Sequence, residues 1–224
     1  MTKASPILLA LSLFFAACSS NETEVTNAPQ QKLLESYTVK RDVNGAYSID
    51  LNTTTNTVVN TVKNTDNSNE IILSEVNRKT ANKYTNDFTT ENNQLIIGFL
   101  DTNKGERKKI SIEDDNITFA KGGVTEFLNS YSVTENSNGT YLLNFKVNKN
   151  IATEFSYNEA IETYEVHLSK GRAKQLDFSE TITLSEDNSL RIDFVNHTHA
   201  GRGEEGDPPP HRRKPRLIIE NGEE

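Results

Sequence analysis

This chain has little with which to staple itself. In 224 residues there is one cysteine, Cys18, so no intramolecular disulfide can form, and packing and strand pairing alone must hold any fold. Tryptophan is absent, which removes one flat platform for sugar rings and leaves tyrosine to serve in its place. Basic charge is scarce: 24 Lys and Arg against 32 Asp and Glu give a net charge of −8 and a pI near 5.2, which argues against a nucleic-acid partner. No Gly-x-Ser-x-Gly elbow, His-Glu-x-x-His pair or phosphate-binding glycine loop occurs, and the chain is read as a non-enzyme without a cofactor. Hydrophobic residues make up 34% and charged residues 25%, so a core is possible but not generous. Gly (11) and Pro (6) are not enriched, and apolar residues alternate through the middle of the chain, which is expected to fold between polar ends.

What is present begins with "MTKASPILLALSLFFAACSS". Lys3 precedes an apolar run from Ile7 to Phe15, far short of the about 20 residues a membrane-spanning helix needs but suited to a signal-peptide core. Two alanines then lead to Cys18. "FAAC" resembles the lipobox of bacterial lipoproteins, with Phe15 where that family usually has an aliphatic residue. The resemblance implies that residues 1–17 are a cleaved signal peptide and that Cys18 is diacylated and then becomes the first residue. Such acyl chains hold a membrane by about 0.8 kcal/mol per buried methylene. Residues 18–31 would form a flexible polar tether. Its "SSNETE" is similar to acidic surface-export tags of some Gram-negative lipoproteins, and no Asp follows Cys18. The expected location is the bacterial outer membrane, periplasmic or surface-exposed.

Beyond the tether the sequence repeats itself. Ser36, Tyr37, Val39, Asn44, Gly45 and Tyr47 recur as Ser130, Tyr131, Val133, Asn138, Gly139 and Tyr141, displaced by 94 positions. "EIILS" from Glu70 then matches "EVHLS" from Glu165, and "NQLIIGF" from Asn93 matches "NSLRIDF" from Asn188, both displaced by 95. A third, weaker echo pairs "RKKISIE" (107–113) with "KPRLIIE" (214–220). Repeat 1 is therefore placed at 32–119 and repeat 2 at 126–224, the second having gained a polar loop around 197–211.

Period-two alternation of Tyr47, Ile49 and Leu51, and of Tyr141, Leu143 and Phe145, predicts strands with one buried face. The Asn-Gly pairs before them predict tight hairpin turns. Leu95, Ile97 and Phe99 match Leu190, Ile192 and Phe194, whereas Ile96 and Gly98 become Arg191 and Asp193; the first set is assigned to the core and the second to a wet face. Further strands are expected at 56–64, 83–89, 151–157 and 173–184. The expected fold is all-β: two tandem sandwich units of immunoglobulin-like size, or alternatively one composite barrel or sandwich built from both copies.

Candidate chemistry gathers in the second copy. His197, His199 and His211, beside Glu204, Glu205 and Asp207, carry the imidazole and carboxylate donors that suit a borderline metal such as zinc. Arg212, Arg213, Lys214 and Arg216 could contact anionic lipid or lipopolysaccharide phosphates, or else, with Arg107, Lys108 and Lys109, mark a charged edge strand. His167, between Val166 and Leu168, is assigned to a solvent face with no role. The expected function is binding or scaffolding at the envelope, with membrane contact through the acyl chains and an envelope protein or glycan as partner; the alternatives are a carrier of a lipid or other apolar ligand and a metal-assisted hydrolase centred on the 197–211 loop.

Overall fold

The computed structural model describes residues 31–114, 127–136, 138–172, 175–197 and 212–222, with the backbone alone of residues 212 and 213. The leader, Cys18, most of the tether, His199 and His211 lie outside the described residues. Among the described residues fourteen strands follow one another: β1 (Leu34–Arg41), β2 (Tyr47–Thr53), β3 (Thr57–Lys63), β4 (Asn69–Glu75), β5 (Lys83–Phe88), β6 (Gln94–Asp101), β7 (Arg107–Glu113), β8 (Leu128–Glu135), β9 (Tyr141–Val147), β10 (Ile151–Asn158), β11 (Thr163–Lys170), β12 (Asp177–Ile182), β13 (Ser189–His197) and β14 (Arg212–Gly222). Both Asn-Gly hairpins form as expected. Gly45 and Gly139 adopt φ of 81° and 80°, and each donates its N–H to the carbonyl three residues earlier, on Asp42 and Asn136.

The repeat is structural as well as sequential. Strands β1 to β7 correspond in order to β8 to β14, and the two sheets run through both copies. One has the order β12-β9-β8-β1-β2-β5, the other β10-β11-β13-β14-β7-β6-β4-β3. Read from the centre outwards, each sheet is the same series of strands in both directions. The copies therefore meet edge to edge across a pseudo-twofold axis. In the first sheet the axis passes through Val39 opposite Val133, two equivalent residues, and in the second through Ser111 opposite Ile218, equivalent by the third echo. The outcome is one composite sandwich of two packed sheets. It is not a barrel, because β12, β5, β10 and β3 end the sheets without pairing to one another.

Alternation puts the core where the repeats match. Val39, Ile49, Ile97, Ile110, Val133, Leu143, Ile192, Phe194, Leu217 and Ile219 are fully enclosed between the sheets. Aromatic packing is duplicated too: Tyr37 and Phe99 lie 5.2 Å apart at 34°, and Tyr131 and Phe194 lie 5.0 Å apart at 34°. Complete burial of side chains this size contributes about 1.5–3 kcal/mol each.

Two expectations are corrected. Strands β7 and β14, which carry the two basic runs, are neighbours at the middle of the eight-stranded sheet and not edges. Pro215 is accommodated there by a register shift between Asp193 and Val195 on the facing strand, so the ladder does not need its missing N–H. Asp193, assigned to a wet face, is completely buried, because Arg216 covers it with two hydrogen bonds of 2.7 and 2.9 Å.

Polar side chains clip the sheets together on either side of the axis. Arg41 Nε donates to Asp114 Oδ2 at 2.7 Å, and the Tyr47 hydroxyl donates to the same oxygen at 2.9 Å. The positions equivalent to Arg41 and Tyr47 are Glu135 and Tyr141, where the charge is inverted: Glu135 accepts from Lys108 Nζ at 2.7 and 2.8 Å. Burial pushes the ionisation of Tyr37, Tyr47, Tyr131 and Tyr141 above the usual tyrosine range.

Candidate functional site

The outer face of the six-stranded sheet carries a trough of about 550 Å³. Its floor is set by register across strands from both copies. Ser48 on β2, Lys40 on β1, Ser132 on β8, Asn144 on β9 and Ser179 on β12 are direct partners from strand to strand and form one continuous row. Ser130, Lys146 and Asp177 form the next row. Short serines on β8, between the longer Lys40 and Lys146 on its neighbours, leave the groove open along the middle.

The charges at its rim cancel in pairs. Lys40 is bonded to Asp50, and Lys146 Nζ lies 2.9 Å from Asp177 Oδ1. The floor is different: among the described residues, the side chains of Ser48, Ser130, Ser132, Asn144 and Ser179 have no hydrogen-bond partner within the protein. The pseudo-symmetric row, Leu142, Thr134, Thr38, Asp50 and Thr85, is saturated instead. Thr38 and Thr134 share a hydrogen bond of 2.9 Å, and Thr85 donates to Asp50 at 2.8 Å. One row is bonded within the protein and its symmetry mate, also drawn from both copies, presents open donors and acceptors.

The sequence-derived candidates fall only partly among the described residues, and the side chains of Arg212 and Arg213 lie outside them. Of the three proposed metal ligands only His197 is described, and it stands beside His167, with His167 Nδ1 3.0 Å from His197 Nε2. His167 is on the outer face, as expected, but is 26% exposed and is held there by Glu165 and His197, not by solvent alone. Among the described residues no group of three or more His, Cys, Asp or Glu side chains is placed to hold a metal ion. In the basic run, Arg216 is engaged by Asp193, and Lys214 Nζ lies 3.7 Å from Glu113. In the matching run, Lys109 lies 3.5 Å from Glu220 and Arg107 3.5 Å from Glu70. Asp101 is buried and accepts the Leu33 N–H at 2.7 Å, tying the start of the fold to β6.

Comparison with protein-family models, with curated proteins and with solved structures finds no match for this chain.

Proposed function

We propose that this chain is a non-enzymatic binding protein of the bacterial envelope, anchored by acyl chains on Cys18, whose trough takes a polyhydroxylated ligand of the glycan class. One observation carries the reading: a row of hydroxyl and amide groups, whose symmetry mate is bonded within the protein, is left open along a trough of about 550 Å³. Neutral donors and acceptors flanked by two self-cancelling ion pairs favour an uncharged ligand over an anion. Each hydrogen bond made there contributes about 0.5–1.5 kcal/mol net, so several together give selective but modest affinity.

The anchor and the ligand are tested separately. Cys18→Ala should move the protein from the membrane to the soluble fraction, and wild-type protein should incorporate labelled palmitate; absence of label defeats the anchor. Lipid-free mature chain should be retarded in gels containing purified envelope polysaccharide, and Ser132→Trp, which fills the trough, should abolish the retardation. If retardation is absent, or unaffected by Ser132→Trp, the trough does not bind glycan.

A further inference from the structure

A second polar arrangement lies on the opposite face of the molecule and shares no residue with the trough. β11 and β13 run parallel, with Ser169 beside His197 and His167 beside Val195, so both imidazoles reach the outer face of the eight-stranded sheet. Glu165, two residues before His167 on the same face, has a side chain only 6% exposed, and its Oε2 lies 3.3 Å from His167 Nε2. A carboxylate behind Nε2 is the arrangement that orients a ligating histidine through its other nitrogen, Nδ1. That nitrogen faces His197 Nε2 at 3.0 Å, with the rings 5.2 Å apart and inclined at 31°.

We infer that His167 Nδ1 and His197 Nε2 form a two-imidazole site for a borderline divalent transition-metal ion, with Glu165 as the positioning group behind His167. Two nitrogens bound to tetrahedral zinc at 2.0–2.1 Å lie about 3.3 Å apart, so the present separation has to widen by only a few tenths of an ångström. Glu165 points at the far nitrogen and is not a ligand, which is why the described residues contain no three-ligand group. Two protein nitrogens leave the remaining tetrahedral positions to other donors. Copy one has Ile72 and Thr102 where copy two has His167 and His197, so the pair belongs to the second copy alone. Glu70 stands at the place of Glu165, so the carboxylate is common to both copies and the imidazoles are what copy two adds.

The test uses the complete mature chain with zinc as the probe. In calorimetric titration His167→Ala and His197→Ala should each weaken binding at least tenfold, and Glu165→Ala by about tenfold, the scale for losing a carboxylate behind a ligating histidine. Long-range proton–nitrogen spectra of the wild type need no variant: zinc should move the His167 Nδ1 and His197 Nε2 resonances among the 4 histidines. Absence of binding heat, unchanged affinity in His167→Ala, or nitrogen shifts confined to His199 and His211 would overturn the assignment.

Discussion

Replacing Arg41 by methionine examines how the two sheets are clipped together. Arg41 and Asp114 have side chains 5% and 4% exposed, and their contact at 2.7 Å spans the gap between the sheets. Methionine fills much of the same volume but leaves a carboxylate enclosed, with the Tyr47 hydroxyl as its remaining side-chain partner among the described residues. Removing one partner of a buried pair costs about 3–5 kcal/mol, because the stranded charge keeps its desolvation penalty. Against a total stability of about 5–15 kcal/mol that is a large share. With a urea dependence of about 2 kcal/mol per molar, the unfolding midpoint should fall by about 2 M. The double variant Arg41→Met/Asp114→Leu removes both charges and should recover to within about 1 kcal/mol of the wild type. Urea unfolding followed by circular dichroism measures all three proteins. A single variant as stable as the wild type, or a double variant whose loss is the sum of the two singles, would refute the reasoning.

Other outcomes follow from the same structure. Because Tyr37, Tyr47, Tyr131 and Tyr141 hold their protons more tightly when buried, stability is full below about pH 10, where unfolded tyrosine ionises, and falls as pH rises beyond it. At about 1.4 kcal/mol per unit for each tyrosine, the four together remove about 5 kcal/mol per pH unit; tyrosinate absorbance and circular dichroism should change together, and reversible ionisation with the fold intact would contradict this. A protease site placed in the connection between β7 and β8, then cut, should leave both halves eluting as one species without denaturant; two separate peaks would show that the paired central strands do not hold the halves together. Gly139→Ala should cost about 1–2 kcal/mol although an added Cβ meets nothing within 4 Å, since the penalty is the φ of 80° itself; a melting temperature equal to wild type would disprove it.

Much of the fold was legible because duplication prints the same face twice. The Leu-Ile-Phe triplets of β6 and β13 fixed the buried side, and the Asn-Gly pairs fixed the hairpins, because both depend on neighbours within a few residues. Asp193 misled for a physical reason: a charge signals water only when nothing covers it, and Arg216, 23 residues away, does. The joining of the copies was open between two architectures, since the pairings of β1 with β8 and β7 with β14 link residues about a hundred positions apart. The trough was invisible for the same cause: Lys40, Ser132 and Asn144 become a row only once that register exists. His167 likewise looked idle until the parallel pairing of β11 with β13 brought His197 to it.

The meeting of the copies along β1 and β7 also bears on the order of assembly. Until the second half has been made, the first half leaves β1 and β7, one in each sheet, with a row of unmet backbone groups, and these are the strands a sister molecule's first half could seize. Nascent chains at high local concentration are thus prone to swap partners, the more so the longer the second half is delayed. Having both halves on one polypeptide favours the correct partner by keeping it close at hand.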